Sequence, residues 1–319
     1  MKNKEYLLIL LFFISCISCK QQPVSIQDKK NVNEKTETTT GTFKAAISPE
    51  VPFMITDPGQ RVDYLVKHYW DQSDFTDTLY LRNQDVTEQA WVDFYDLLNY
   101  TSLHTAKEAI KNAFAKANRN KKIYLYFTEL ADKYLYDPNS PIRNEEFYIP
   151  VLESLLESPL LNDTEKIRPK ARLKLAYKNR PGTSALDFTY TLASGVQGTL
   201  HNLKADYTIL FINNPGCQAC SEAIAGLKQS AIINHMQTNR KLKILAFYTD
   251  TDLDEWWKHR SDFPDTWINS YDKSQNIVSR NLYDLKAIPT FYLLDKQKTV
   301  LLKDATLPLI EEWLSDSEM

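Results

Sequence analysis

The sequence predicts two folded parts of different class: an all-α part, followed by an α/β part in which a mixed β-sheet is flanked by helices. In residues 57–179 the apolar side chains recur at helical spacing. After residues 180–182, short β-prone runs alternate with helical segments and end in a hairpin, which is the pattern of a mixed sheet. A chain of 319 residues has room for two such domains and for flexible ends.

Composition and charge argue against two classes of function. Hydrophobic residues make up 43% and charged residues 25% of the chain, which is the balance of a globular protein. The formal net charge is −3 and the Lys and Arg residues are not clustered, so no nucleic-acid partner is expected. With only 7 glycines and no GxGxxG or P-loop motif, the chain lacks the Gly-rich loop that cradles a nucleotide phosphate.

The first residues resemble a bacterial lipoprotein signal. A short basic start, Lys2 and Lys4, precedes an apolar run over residues 6–14. This run has the length of a signal-peptide core and is too short to span a bilayer as a helix. Ser18 then precedes Cys19, and in signals of this kind such a cysteine becomes the lipidated first residue of the mature protein.

This resemblance predicts a signal peptide over residues 1–19, lipidation of Cys19, and a membrane lipoprotein of the cell envelope that faces the periplasm. Cys16, which is followed by the apolar Ile17, is the alternative lipidation site. An ordinary secretory peptide is the alternative to a lipoprotein signal. Residues 20–50 are rich in Gln, Lys, Asn and Thr and contain few large apolar residues, which predicts a flexible tether.

The all-α part is predicted to cover residues 51–180. Its apolar stripes predict helices over residues 62–69, 91–98, 106–117, 123–134, 147–156 and 165–177. Thr87 is expected to cap the second of these helices, and Pro150 and Pro169 are expected to kink or subdivide the last two. The many Tyr and Trp residues are interpreted as core, or as the lining of a groove.

The second part is predicted to cover residues 181–319 and to begin with a hairpin around residues 193–195. Strands are predicted over residues 188–192, 198–200, 207–212, 242–248, 267–271, 290–294 and 300–302, and helices after residue 216 and over residues 253–259, 274–282 and 307–314. The run 207–212 is continuously apolar, as expected of a strand that is buried on both faces.

Two cysteines stand three residues apart shortly after this buried strand. Residues 213–216 form a turn, and Cys217 and Cys220 lie on the first turn of the next helix, close enough to form a small disulfide. A helix N-terminus favours an anion, so Cys217 is expected to be the thiolate that attacks a disulfide. Cys220 shares the predicted inward face of the helix with Ala219 and Leu227, so it is expected to be the buried, resolving thiol.

Three other interpretations of the cysteine pair are weaker. A zinc site would need further ligands, and the five histidines show no paired spacing, so no metal is predicted. An inert structural disulfide would close too small a loop to stabilise the fold much. Plain core cysteines would not explain why the only two in the folded portion are adjacent. A redox-active disulfide between Cys217 and Cys220 is therefore predicted, with no other cofactor.

The succession of strand, turn, CxxC and helix, with the motif AIPTF at residues 287–291, resembles the thioredoxin superfamily. This resemblance implies that the Ile288–Pro289 bond is cis and that its loop faces the cysteine pair. It also implies a substrate-binding edge formed by Gly216, Ile288 and Pro289. Residues 185–188, with the hairpin that follows them, are similar to the extension of the membrane-tethered TlpA/ResA-like branch.

A second resemblance concerns the helical part. Residues 136–154 resemble the domain of unknown function that precedes thioredoxin-like domains in Bacteroidota-type lipoproteins. The chain also departs from the thioredoxin pattern: Phe211 replaces the buried acid of thioredoxins, and Ala223 replaces the glutamate of TlpA/ResA-like reductases. Glu222 is adjacent but is expected to point outward, so either water or Glu222 must take the proton of Cys220.

Together these observations predict an envelope-anchored thiol–disulfide oxidoreductase that reduces its partners through Cys217 and Cys220. The expected partners are disulfide-containing envelope proteins and an electron donor that the sequence does not identify. The first alternative is a non-catalytic binding lipoprotein, whose helical part binds a partner while the thioredoxin-like part is a docking module. The second is a peroxide-reducing enzyme, although Asn214 occupies the position where peroxiredoxins carry threonine.

Overall fold

The first part of the fold is helical, as the sequence predicts. The computed structural model describes residues 43–318; the predicted signal peptide with Cys16 and Cys19, and the tether up to residue 42, lie outside the described residues. The helices are α1 (Pro58–His68), α2 (Leu79–Arg82), α3 (Gln84–Leu97), α4 (Leu103–Ala117), α5 (Lys121–Ala131), α6 (Glu145–Glu157) and α7 (Asp163–Ala176), with a short π-helical segment, Asp132–Tyr136, after α5. Within residues 43–318, none of the helices is long and apolar enough to cross a membrane.

Polar side chains fix where several of these helices begin. Asp57 accepts a hydrogen bond from the backbone N–H of Gln60 at 2.8 Å, and Pro58 occupies the first position of α1. Asn162 and Glu165 form a reciprocal capping box at the start of α7. Asp57 and Pro58 therefore fix the start of α1.

Predictions for a helix cap and for two prolines are corrected. Since α3 begins at Gln84, Thr87 is not its cap; the Thr87 hydroxyl is buried and donates to the Tyr80 carbonyl at 2.9 Å. Pro150 and Pro169 lie inside α6 and α7, and neither helix is subdivided. Packing against neighbouring helices outweighs the one backbone hydrogen bond that each proline removes.

The core of the helical part is built from aromatic rings around Trp91. The Trp91 side chain is fully buried, and its ring centroid lies 4.7 Å from that of Trp70 and 4.8 Å from that of Phe127. Ala45, which the sequence assigns to the tether, is buried as well, and its carbonyl accepts a hydrogen bond from the Tyr80 hydroxyl at 2.9 Å. The end of the predicted tether thus packs against the helical core.

The second part contains a seven-stranded mixed sheet flanked by helices, which confirms the predicted fold class. The strands are β1 (Thr189–Leu192), β2 (Gln197–Thr199), β3 (Tyr207–Asn213), β4 (Leu242–Tyr248), β5 (Ile268–Tyr271), β6 (Thr290–Leu294) and β7 (Val300–Lys303), in the spatial order β2-β1-β5-β4-β3-β6-β7. β3, β4 and β5 are parallel, and the other neighbours pair antiparallel. The helices of this part are α8 (Gln218–Gln229), α9 (Ala231–Thr238), α10 (Leu253–Lys258), α11 (Asn276–Ser279) and α12 (Leu307–Glu318).

Two apolar layers cover the two faces of the sheet. On one face, buried residues of α8, α9 and α12, such as Leu227, Met236 and Leu314, pack against the strands. On the other face, Phe188 and Tyr283 belong to a second apolar cluster. β3 contributes to both clusters and is buried along almost its whole length, as its continuous apolar run predicts.

The strand register brings two loops to the same edge of the sheet. β3 and β4 are parallel and remain paired up to Asn213 and Tyr248, so the residues that follow these two strands lie side by side. β6 is antiparallel to β3, with Thr290 opposite Ile212, so the residues that precede Thr290 lie at this edge as well. The residues after β3 carry the cysteine pair, and those before β6 end at Pro289.

The segment 280–289 has no regular secondary structure. The sequence predicts a helix over residues 274–282, but α11 covers only Asn276–Ser279. Asn281 adopts a left-handed φ of 47°, which terminates the helix. The chain therefore reaches β6 through an irregular segment.

Candidate functional site

The turn between β3 and α8 presents the first cysteine at a helix N-terminus. Gly216 has a left-handed φ of 80°, which a residue with a Cβ adopts only at a cost. Cys217 is the N-cap residue of α8, and its backbone N–H donates to the Asn214 carbonyl at 3.3 Å. The turn therefore places the Cys217 sulfur at the end of α8 where the backbone N–H groups have no helical partners.

Cys217 is the half-exposed thiol of the pair. The backbone N–H groups of Cys220 and Ala219 face its sulfur, and the N–H of Cys220 contributes most to lowering the pKa of Cys217 below its ordinary value. Glu222 acts in the opposite direction; its carboxylate is exposed and accepts a hydrogen bond from Gln218 at 2.8 Å. Cys217 is thus the thiol that ionises first.

Cys220 lies one turn deeper and only 1% of it is exposed. Burial raises the pKa of its thiol to about 12. The backbone N–H of Asn214 donates to the Cys220 sulfur at 3.3 Å, which offsets a small part of this rise. The two thiols therefore differ in burial and in pKa, in the direction that helix geometry predicts. Ala219, predicted on the same inward face, is exposed instead.

Apolar side chains occupy positions 211 and 223, where thioredoxins and TlpA/ResA-like reductases carry a carboxylate. Phe211 is fully buried and stacks on Phe291, with ring centroids 4.8 Å apart and planes inclined by 12°. Ala223 is half-buried on α8. Neither position can take the proton of the Cys220 thiol, so that proton has to leave by another route.

The predicted substrate-binding residues lie at the same edge of the sheet as the cysteines. The Ile288–Pro289 bond is cis, as the resemblance implies, and both residues are half-buried. Pro289 immediately precedes β6, and the pairing of β6 with β3 puts it at the edge where Gly216 and Cys217 follow β3. The register thus brings all the predicted site residues of the thioredoxin-like part to one edge.

Two side chains beside Gly216 were not identified from the sequence. A Cβ placed on Gly216 would lie 3.5 Å from His259 Nε2 and 3.6 Å from Glu255 Oε2. On the other side of the imidazole, His259 Nδ1 lies 2.9 Å from the Asp262 carboxylate. The available signal was topological, because both residues follow β4, whose end lies next to the end of β3.

The candidate redox group is the cysteine pair itself. Both cysteines are free thiols, and a disulfide between Cys217 and Cys220 stays a prediction. Among residues 43–318, the His, Cys, Asp and Glu side chains form no group of three that could hold a metal ion.

Comparison with known proteins gives matches to both parts of the chain. The family model described as "Domain of unknown function (DUF5106)" matches residues 18–179, and the model described as "Thioredoxin-like" matches residues 205–300. The chain is similar to a thioredoxin-like protein of known crystal structure from Bacteroides caccae, with 58% identity, coverage of 86% of this chain and 99% of that chain, and a TM-score of 0.84. It is also similar to the C-terminal domain of an uncharacterized protein from Bacteroides fragilis, with 62% identity, coverage of 43% of this chain and 98% of that chain, and a TM-score of 0.43. No curated protein matches the chain.

Proposed function

We propose that this chain, which belongs to the family in which a DUF5106 domain precedes a thioredoxin-like domain, is a thiol–disulfide oxidoreductase that acts through Cys217 and Cys220. The difference between the two thiols carries the proposal. Cys217 is half-exposed with a lowered pKa, whereas Cys220 is buried with a pKa of about 12. Disulfide exchange needs one thiol that attacks and a second that reacts only after the first is bound to the partner.

The proposed reaction begins when the Cys217 thiolate attacks one sulfur of a partner disulfide. The S–S bond of the partner breaks, a mixed disulfide forms on Cys217, and the leaving thiolate takes a proton from water. Cys220 then loses its proton to water and attacks the Cys217 sulfur. The bond between Cys217 and the partner breaks, and the second partner sulfur leaves as a thiolate that takes a proton from water. The partner has gained both electrons and both protons, and Cys217 and Cys220 are joined by a disulfide that a dithiol electron donor must reduce.

Substrate binding is assigned to Gly216, Ile288 and Pro289. An extended partner segment can lie along a backbone edge in the manner of an added strand, and its disulfide must then reach Cys217. The position of Ile288 and Pro289 at the edge that carries the cysteines supports this assignment. Gly216 supports it as well, because it is exposed and has no side chain in the way.

Insulin reduction by the full-length chain, with a small dithiol as electron donor, tests the activity. Cys217→Ser is expected to abolish catalysis and to trap almost no partner. Cys220→Ser, the matched variant one helical turn away, is expected to trap partners covalently on Cys217. Equal trapping by both variants would contradict the assigned roles. If the wild type is inactive and neither variant traps a partner, the alternative of a non-catalytic lipoprotein whose helical part binds a partner would be favoured.

The direction of the reaction is proposed to be reduction of disulfides in envelope proteins. The groups that lower the pKa of Cys217 are backbone N–H groups and the neighbouring Cys220, with no cation among them, so the thiolate is only moderately stabilised. We therefore expect a reduction potential of about −270 to −200 mV for the cysteine pair, measured against a glutathione buffer. A potential of about −120 mV would indicate an oxidant instead.

The chain is further proposed to be a lipoprotein of the cell envelope that is anchored through Cys19 and faces the periplasm. The apolar run over residues 6–14 and the Ser18–Cys19 junction support this proposal. The mass of the N-terminal peptide from envelope fractions tests it: Cys19→Ser should abolish acylation, and Cys16→Ser should not. Loss of acylation only in Cys16→Ser would move the anchor to Cys16, and an unacylated wild type would contradict the proposal.

A further inference from the structure

The proposed substrate-binding loop ends an irregular segment, which the buried side chains of Leu282 and Tyr283 hold only in part. Residues 280–289 have no regular secondary structure, and β6 begins only at Thr290. Without helix or strand hydrogen bonds, such a segment keeps one conformation only where neighbouring groups bind it. Ile288 and Pro289 stand at its end, so contacts made with residues 280–287 determine where they lie.

The first of these contacts come from the end of the helical part. Lys178 Nζ donates to the Asn281 carbonyl at 2.5 Å, and Asn179 Nδ2 donates to the Leu282 carbonyl at 2.9 Å. Asn179 is buried, and its Oδ1 accepts a hydrogen bond from the backbone N–H of Leu186 at 2.7 Å. Asn179 follows α7, and its side chain thus bonds to two places: to Leu186 near the start of the second part, and to Leu282 in the irregular segment.

The second group of contacts surrounds Lys286, two residues before Ile288. Lys286 Nζ lies 2.8 Å from the Asp304 carboxylate and 3.2 Å from the Asp284 carboxylate. Glu145, in the first turn of α6, is 4.0 Å away. The Lys286 side chain is only 9% exposed, so water competes little for these contacts and an unpaired charge there would be costly.

Two residues of the helical part complete this group. Arg143 donates to the Asp304 carbonyl at 2.7 Å, and Glu145 pairs with Lys303 as well as with Lys286. The resulting interdomain ion cluster consists of Arg143, Glu145, Asp284, Lys286, Lys303 and Asp304. The cluster contains three cationic side chains and three carboxylates. Their charges balance, so the cluster has no net charge that would attract a free ion.

We propose that the helical part positions residues 284–289, the loop that ends at Pro289, through the interdomain ion cluster and Asn179. It thereby sets the affinity of the cysteine site for its substrates. The inference rests on the proposed function and gives the helical part a role in it. Glu145 and Lys286 are positioning residues, because they act through Ile288 and Pro289 rather than on the reacting sulfurs. Buried ion pairs add little net stability compared with apolar contacts, but they can fix one geometry, and a loop that aligns a partner requires one.

Hydrogen–deuterium exchange on the full-length chain tests the positioning directly. Lys286→Met removes the charge at the centre of the cluster, whereas Lys286→Arg keeps it. We expect faster exchange over residues 284–290 in Lys286→Met, near-native exchange in Lys286→Arg, and no change around Cys217. Lys241→Met is the matched control, since Lys241 pairs with Glu318 outside the cluster and should leave residues 284–290 unchanged.

Glu145→Gln tests the same claim from the helical side, and it serves in place of Lys286→Met if that variant does not fold. Both variants should raise KM for a peptide disulfide about tenfold and leave kcat within about twofold. The alkylation rate of Cys217 should not change in either variant, since the groups that lower its pKa are outside the cluster.

Unchanged exchange over residues 284–290 in both variants would overturn the positioning, and so would a parallel loss of Cys217 reactivity. A wild type that reduces no disulfide, combined with the expected exchange pattern, would reject the proposed function and leave the positioning of the loop in place. The two claims can therefore fail separately.

Discussion

On the cysteine side of the site, a short turn connects β3 to α8. The backbone N–H of Asn214 donates to the Cys220 sulfur, and the backbone N–H of Cys220 faces the Cys217 sulfur. On the proline side, the segment 280–289 is irregular and is bound by Asn179 and the interdomain ion cluster. Groups close in sequence surround the two sulfurs, whereas groups far apart in sequence bind the segment on the proline side.

This difference separates reactivity from recognition. The ionisation of Cys217 depends on the N-terminus of α8, so it should be insensitive to changes in the helical part. The placement of Pro289 depends on contacts from that part, so substrate affinity should respond to the same changes. The helical part is therefore expected to influence which disulfides bind more than how fast a bound disulfide reacts.

The largest effect on stability is expected in the apolar core that the cysteine side and the proline side share. Phe211 of β3 stacks on Phe291 of β6, the strand that follows Pro289. Phe211→Ala leaves a cavity there and should lower the free energy of unfolding by about 3–5 kcal/mol, measured by urea unfolding. Phe53→Ala is the control, because that side chain is 88% exposed. Equal unfolding midpoints for the two variants would show that the stacked pair does not hold the two sides together.

A smaller loss of stability is expected from Asn179→Ala, because this change affects only the proline side. The variant loses two buried side-chain hydrogen bonds and should be destabilised by about 1–3 kcal/mol. Limited proteolysis should then cut first within residues 280–289. Asn239→Ala is the matched control, because Asn239 is exposed and bonds only to His235 among the described side chains. First cuts elsewhere would show that Asn179 does not secure the segment.

Gly216→Ala probes the cysteine side and should have the smallest effect on stability. Gly216 and Gly195 have left-handed φ values of 80° and 84°, so alanine at either position should cost about 1–2 kcal/mol in the free energy of unfolding. Only Gly216→Ala is expected to slow disulfide reduction, because Gly195 lies in the hairpin between β1 and β2. Equal slowing by Gly195→Ala would mean that activity follows stability rather than the local shape of the site.

The strand, the turn and the cysteine pair could be predicted from the sequence, whereas His259 and Glu255 beside Gly216 could not. The sequence predicts β3 over residues 207–212 and the strand spans Tyr207–Asn213, while β4 has the predicted bounds. β3 succeeds because a continuous apolar run marks a strand buried on both faces, and β4 is apolar and buried over residues 244–248, after the exposed Lys243. The positions of Cys217 and Cys220 at the start of the next helix then follow from their distance to β3 along the chain.

The proline side could not be predicted in the same way. The helix expected over residues 274–282 ends after Ser279, because Asn281 takes a left-handed conformation that its neighbours do not reveal. Lys286 meets Glu145 of α6, and no local pattern indicates which charges pair over such a distance along the chain. Only the resemblance to thioredoxins pointed to the cis bond in this segment.

The measurement that tests the account most directly is the pH dependence of alkylation of the two thiols in the reduced chain. Because the pKa of Cys217 is lowered, its reaction with iodoacetamide should rise at a lower pH than that of an ordinary thiol. Cys220, with a pKa of about 12, should stay unmodified there. As the pH falls through the pKa of Cys217, the reactive thiolate is lost, together with the stability that the α8 N-terminus confers on it.

Mass spectrometry identifies the modified residue at each pH. The account predicts that Cys217 is modified first at every pH below the Cys220 transition, and equally so in Glu145→Gln. Modification of Cys220 first, or of both thiols over the same pH range, would contradict the claim that this edge of the sheet holds an attacking and a resolving thiol.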